Sequence, residues 1–226
     1  MLCSELNWSA ITSTINVNDL IVRDNQVYAS TDGGILSLDI ASKNIKTIDF
    51  DDGVYPLDLS SVSDLHLNHI IVGSSTNGSL QRINLIDKSI DKVSHLDWVE
   101  SINKIVFVDN LIFAIAKTKN SYGVLEYIIK NDKLNYIDYY ENFPIVLNRI
   151  NDIDIFNNEL VVSTDNGILY ADYRISLHLS DNWRVENESL DVTNFENGLI
   201  SDSDSNIIDF FYDDLSMTYN AISDNS

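Results

Sequence analysis

Apolar residues in this chain come in short runs of about four to seven positions, separated by clusters of Asn, Asp and Gly. Val, Ile, Leu and Tyr dominate the runs. No stretch of helical length keeps a 3.6-residue apolar period, so the pattern predicts strands joined by tight turns. After the glycine of STDGGILSLD (30–39), Leu36, Leu38 and Ile40 alternate with Ile35, Ser37 and Asp39; Leu169, Ala171 and Tyr173 repeat the alternation after STDNGILYAD (163–172). Successive strand residues face opposite sides of a sheet, so one face is predicted to be systematically apolar. Runs such as LIV (20–22) and KIVFV (104–108) are apolar without alternation, which suits first strands buried on both faces.

The pattern repeats. Gly34, Gly78, Gly123 and Gly167 lie at steps of 44, 45 and 44 residues. Upstream of each stands a second shared element: NVNDLIV (16–22), SVSDLHL (61–67), SINKIVF (101–107) and RINDIDI (149–155). About 44 residues with about four short strands is the size of a β-propeller blade. The expectation is an all-β, single-domain propeller over 1–226, with repeats near 14–58, 59–99, 100–147 and 148–187 and a partial fifth at 188–226. NWSAI (7–11) resembles NWRVE (182–186), so an outer strand is expected at the amino terminus. NIIDFFY and DLSMTYN (206–220) read as the first two strands of the fifth repeat, and the propeller is expected to be incomplete, a fragment of a longer one in preference to the alternative, an unusual five-unit arrangement.

Charge narrows the partners. Fourteen basic against 35 acidic residues give a net charge of -21, which opposes binding to phosphate backbones or anionic lipid. The acidity is spread along the chain, as a solvated surface would have it. No nucleic acid and no membrane insertion are expected, since no run approaches 18 apolar residues. One cysteine, Cys3, cannot form an internal disulfide and leaves the redox compartment open. The start MLCSELNW has neither a basic region nor an apolar core of signal-peptide type.

Candidate chemistry is sparse. STDNGILY (163–170) resembles the Asp box of sialidases and related propellers, with Tyr170 in the aromatic slot, and that element is itself a structural turn. Asp32, Gly34, Gly78, Gly123, Asp165 and Gly167 are therefore expected to build turns: the carboxylate accepts following amides and glycine takes a positive φ. DSDSN (202–206) resembles the opening of a calcium loop with Asp213 at the twelfth position, but Ile207 occupies the place of the required glycine. His66 and His69 are three apart on or beside a strand and point to opposite faces; His95 and His178 are isolated, so no zinc site is expected. No nucleophile elbow, phosphate loop or dinucleotide fingerprint occurs, and no cofactor is expected.

Two carboxylates across a pocket would serve a glycosidase. Asp19, Asp64 and Asp152 occupy matching places early in their repeats, with Lys104 in the third, and are the candidate channel-facing ligand residues; the alternative is that they are repeat-encoded loop residues. The five arginines, Arg23, Arg82, Arg149, Arg174 and Arg184, do not recur in register, against an arginine-cluster sialidase. Trp8, Trp98 and Trp183 read as blade packing.

INDIDIFNNELVVSTDNGILYADYRISLHLSDNWRV (150–185) resembles repeats of the PorZ-type amino-terminal propellers of the type IX secretion system, and residues 7–39 look like the opening of the same domain. ENGLISDSDSNIIDF (196–210) resembles a connection in the wider class of two-component-regulator propellers. The resemblance implies an exported, non-catalytic protein of the bacterial surface or periplasm. It also implies a protein partner, a sortase or secretion component, or a surface glycan such as anionic lipopolysaccharide. A sensory propeller ectodomain and, further off, a propeller glycosidase or lyase are the alternatives.

Overall fold

A computed structural model describes residues 13–186, 188–196, 198–204, 206–211 and 218–221. NWSAI, Cys3, Trp8 and Asp213 lie outside the described residues. Among the described residues twenty strands form five four-stranded antiparallel sheets, each with its strands paired in chain order. The first holds β1 (Val17–Arg23), β2 (Gln26–Thr31), β3 (Gly34–Asp39) and β4 (Ile45–Ile48). The second holds β5 (Leu59–Leu65), β6 (His69–Ser74), β7 (Leu80–Asn84) and β8 (Ile90–Ser94). The third holds β9 (Val99–Val108), β10 (Leu111–Thr118), β11 (Tyr122–Lys130) and β12 (Lys133–Tyr140). The fourth holds β13 (Ile150–Phe156), β14 (Glu159–Thr164), β15 (Gly167–Asp172) and β16 (Arg184–Glu186). The fifth holds β17 (Val192–Glu196), β18 (Leu199–Asp202), β19 (Ile207–Phe211) and β20 (Thr218–Ala221). The only helical segments among the described residues are single 3-10 turns at Phe50–Asp52 and Ser180–Asn182. This is the all-β, blade-by-blade architecture that the 44-residue period predicts.

The fifth sheet corrects one strand assignment. Ile207–Phe211 and Thr218–Ala221, read from the sequence as first and second strands, are the third and fourth. The first strand, VTNFE, was hidden because Thr193, Asn194 and Glu196 interrupt its apolar run; only Val192 and Phe195 are buried.

The chain divides into two compact units, Met1–Asn103 and Lys104–Ser226, with the division inside β9. In the first unit, Ile35 and Ile48 of the first sheet pack against Leu59, Val62, Ile70 and Val72 of the second. Ile35 is fully buried, on the face opposite Leu36 and Leu38, so both faces of β3 carry apolar residues. In the second unit, Phe113, Ile115 and Val124 of the third sheet meet Ile153, Val162 and Leu169 of the fourth. The opposite face of the fourth sheet, through Val161, Ile168 and Tyr170, packs on Val192, Phe195 and Ile200 of the fifth. Each such aliphatic side chain taken fully from water contributes about 1.5 to 3 kcal/mol, and this face-to-face burial holds neighbouring blades together.

Every first strand except β9, for which the pairing is not described, carries a bulge near its start, between Val17 and Asp19, Leu59 and Ser61, Ile150 and Asp152, and Val192 and Asn194. In the first and fourth sheets the residue that follows the bulge, Asp19 or Asp152, reaches the next sheet in the chain. That is the place where the sequence sought a ligand site.

Candidate functional site

The Ser-Thr-Asp turns come first. Thr31 Oγ1 donates to Gly34 O (2.8 Å) and accepts from Gly33 N (3.1 Å). Thr164 Oγ1 does the same with Gly167 O (2.7 Å) and Asn166 N (3.0 Å). In the second sheet Ser74 Oγ accepts from Thr76 N (3.2 Å), and in the third Thr118 Oγ1 accepts from Ser121 N (3.0 Å). A hydroxyl at the end of each second strand therefore closes the turn, and the sequence reading overlooked it beside the more conspicuous Asp. In the fifth sheet Asp202 takes over, its carboxylate accepting from Asp204 N, Asn206 N and Asn206 Nδ2 at 2.8 to 2.9 Å. Those donors occupy both oxygens of the residue that opened the calcium-loop resemblance and hold its carboxyl below the usual range, the Asn206 side chain contributing most.

Asp32 and Asp165 do another task. Asp32 accepts from Asn16 Nδ2 (2.6 Å) and Asn18 Nδ2 (3.0 Å), which lower its pKa. Asp165 accepts from Asn148 N (3.0 Å), Asn148 Nδ2 (2.8 Å) and Arg149 N (3.3 Å). Burial pushes its carboxyl up, and these bonds outweigh it, so the net shift is downward. Both aspartates tie the second turn of a blade to the segment entering its own first strand. Gly34 and Gly167 sit at φ 112° and 109°, and their amides donate to the incoming connections at Leu57 O (3.1 Å) and Leu190 O (2.7 Å). Gly78 also has a positive φ.

Gly123 departs from the expected turn. It lies within β11, paired with Ala116, and a Cβ there would come within 2.4 Å of Tyr140 O. The period found this glycine because backbone crowding selects the same residue type as a turn does.

The first-strand residues resolve into an inter-sheet latch. Asn18 Nδ2 donates to Leu59 O (2.8 Å) and Asp19 Oδ2 accepts from Val62 N (3.1 Å) of the next sheet. In the second unit Asn151 Nδ2 donates to Val192 O (2.7 Å) and Asp152 Oδ2 accepts from Phe195 N (3.0 Å). Ser60 Oγ donates to Ile102 O, which places Lys104 in the register of Asp19. In the second blade the ladder puts Ser61 in that position, opposite Gly73. Asp64 is displaced from the series: it pairs across the ladder with Ile70 and its half-exposed carboxylate meets Arg23 at 3.1 Å. The sequence alignment on Ser-Asp is three residues out, because Ser60 and Ser61 stand where the first and fourth blades have Asn-Asp and the third has Asn-Lys.

Asp152 is 7% exposed. Burial raises its pKa from 3.8 to about 6; the Phe195 amide, the Lys104 ammonium and the Ile153 amide pull the other way without overcoming it. Asp154, two residues on, is raised by burial too, and Glu196 adds to the shift. A second buried carboxylate, Glu126 on β11, accepts the hydroxyl of Tyr140 on β12. Burial raises both groups. His178 pairs with Asp138 and packs edge-on against Tyr140, its ring centroid 5.2 Å away. Trp183 is buried as expected of blade packing, donating to Leu177 O (2.9 Å) and meeting Phe143 edge-on. Trp98 is instead 43% exposed.

A cleft of about 400 Å³ opens between the third-sheet turn at Lys117–Tyr122 and the connection at 141–148. Exposed Lys117 and Lys119 stand on one side, with Phe143 and the 85% exposed Val146 on the other. Its lining mixes these cations with the Glu141 carboxylate, the Asn120 and Asn148 amides and apolar surface. Among the described residues no cluster of His, Cys, Asp and Glu could hold a metal ion, and no helix is long and apolar enough to cross a membrane.

No family model matches the chain, and no curated protein matches it in sequence. Solved structures do. PorZ, a bacterial surface component of the type IX secretion system of Porphyromonas gingivalis, superposes with a TM-score of 0.69 at 13% identity, over 97% of this chain and 29% of that one. The extracellular domain of a putative one-component system from B. thetaiotaomicron gives 0.60 at 17% identity, over 84% and 26%. Streptogramin B lyase gives 0.69 at 13% identity, over 98% of this chain and 73% of that one. The chain thus spans less than a third of the first two. The resemblance read from its repeats is present in three dimensions, and the fold it shares with these proteins is the β-propeller.

Proposed function

We propose that the chain is a non-catalytic binding or assembly propeller of an exported bacterial surface protein, serving secretion and cargo attachment of the type IX kind. One observation carries the reading: the carboxylates in the best repeat-encoded positions, Asp19 and Asp152, are bonded to backbone amides of the next blade. They are fastening groups. The likeness to PorZ and to an extracellular regulator domain supports a surface setting. The cleft beside Lys117, Lys119 and Val146 is the binding region, and its partner is a protein segment or a surface glycan. The regulator likeness favours a sensory ectodomain as the second reading.

Titration calorimetry tests the proposal with two probes: purified surface lipopolysaccharide and a soluble type IX cargo signal domain. Binding of either that is lost in Lys119→Glu and Val146→Asp, with thermal stability unchanged, is the expected result. Turnover of glycoside or lactone substrates that Asp152→Asn abolishes would overturn it.

A further inference from the structure

The turn of the third blade keeps the hydroxyl of the others and loses their two ties. Thr118 Oγ1 donates to Ser121 O (3.2 Å) and accepts from Asn120 N (3.3 Å). Thr31 makes the same bonds with Gly34 O and Gly33 N, and Thr164 with Gly167 O and Asn166 N. This equivalence sets Lys119 in the place of Asp32 and Asp165, and Ser121 in that of Gly34 and Gly167. Lys117 stands where Ser30 and Ser163 are fully buried, and is itself exposed. An ammonium cannot accept the amides that the two aspartates take. The glycine tie is gone as well: the Gly34 and Gly167 amides donate to the connection leading to the next blade, whereas the Ser121 amide turns back to Thr118 Oγ1 (3.0 Å). A side-chain bond, Ser121 Oγ to Glu141 Oε2 at 2.6 Å, joins the turn to the connection instead. Loss of the two ties opens the cleft at this blade.

Its far wall is fixed by the fourth blade. Asp165 holds Asn148 through N and Nδ2, and Asn166 Nδ2 donates to Val146 O (2.9 Å). Val146 is pinned by its main chain while its side chain stands 85% exposed, so an apolar ligand group meets a surface already ordered. The charged residues of the lining are Lys117, Lys119 and Glu141, a net of one positive charge. Among the described residues neither lysine meets a carboxylate, and Glu141 Oε1 has no donor. A polyanionic glycan would bring many charges against two cations and the -21 of the whole chain. The last residue of a peptide brings one carboxylate, one N–H and one side chain.

We infer that the cleft captures the free carboxyl end of a peptide chain whose last residue is apolar, a narrowing that rests on the cleft being the binding region. The terminal carboxylate lies on Lys117 and Lys119, the N–H on Glu141, and the side chain on Val146 and Phe143. Ammonium-to-carboxylate bonds of this kind are stronger than neutral ones, and capture of a chain end by its carboxylate is a recurring mode of recognition.

Fluorescence anisotropy on the whole chain tests this with a short labelled peptide ending in leucine, titrated up to millimolar concentration. Saturable binding is expected, weakened about tenfold by amidation of the carboxyl end and about tenfold by a terminal glycine. Lys117→Ser combined with Lys119→Asp restores the Ser-Thr-Asp turn of the first and fourth blades, and should abolish binding with the melting curve unchanged; Lys119→Gln replaces it if it melts early. An amidated peptide that binds as tightly, or free leucine that competes as well as the peptide, overturns the inference and leaves the cleft a binding region. Lipopolysaccharide that binds where no peptide does, and is lost in the same double variant, has the same meaning. If peptide, lipopolysaccharide and cargo signal domain all fail to bind, the binding region itself is refuted.

Discussion

Replacing Asp152 by Asn isolates the cost of keeping a latch carboxylate between two blades. Burial holds the folded-state pKa near 6 against an ordinary value of 3.8. Because the folded value is the higher, the folded state binds more protons between these two values. The stability associated with the protonated group is fully present below about pH 4 and is lost as pH rises through the folded value. A shift of about two units corresponds to about 3 kcal/mol in all, at about 1.36 kcal/mol per unit. Roughly 1.4 kcal/mol of that falls between about pH 5 and pH 8, a window above the isoelectric point of 4.2. Asn keeps an oxygen for Phe195 N and does not titrate. Urea unfolding followed by Trp183 fluorescence should therefore show Asp152→Asn gaining on the wild type by about 1.4 kcal/mol from pH 5 to pH 8. Any loss of the local bond to Ile153 N is independent of pH and cancels in that difference. A flat difference, or one of opposite sign, would refute the burial argument.

Three further outcomes follow from the turns and the third blade. Thr164→Val removes a buried hydroxyl that makes two bonds and should cost about 1 to 3 kcal/mol by chemical denaturation, more than Asp165→Ala at about 1 kcal/mol; the reverse order would return the turn to the aspartate. Gly34→Ala places a Cβ 2.6 Å from Ile48 O at a φ of 112°, and should lower the melting temperature while leaving the first-sheet latch residues replaceable one at a time. Tyr140→Phe takes the hydroxyl from Glu126 and should raise that carboxyl's pKa further; nuclear magnetic resonance titration of the Glu126 carboxyl would show an unchanged value if the bond does not matter.

Much of this architecture is legible in the sequence because a propeller repeats its turn chemistry. The Gly34 and Gly167 turns and the 44-residue period follow from local rules about positive φ and short apolar runs. The latch was legible only in part. Asn18-Asp19 and Asn151-Asp152 look alike in sequence, but Ser60-Ser61 fills the same place with shorter side chains, and Ser61 Oγ is buried with no hydrogen-bond partner among the described residues. Register is a property of pairing, so the nearby Ser63-Asp64 drew the alignment to itself. Glu126 and Tyr140 gave no local signal, being brought together by the pairing of β11 with β12. The cleft at 117–122 and 141–148 was equally silent, because it depends on where a turn lies relative to a distant connection.

The latch also bears on how such a chain changes over generations. The first and fourth blades grip the next by main-chain groups of the receiver, Leu59 O and Val62 N in one case and Val192 O and Phe195 N in the other. Main-chain groups are present whatever the side chain. A blade carrying the Asn-Asp pair can therefore be duplicated, deleted or exchanged by recombination without a matching change in the polar residues of its neighbour, and only the size of the apolar side chains between them has to be renegotiated.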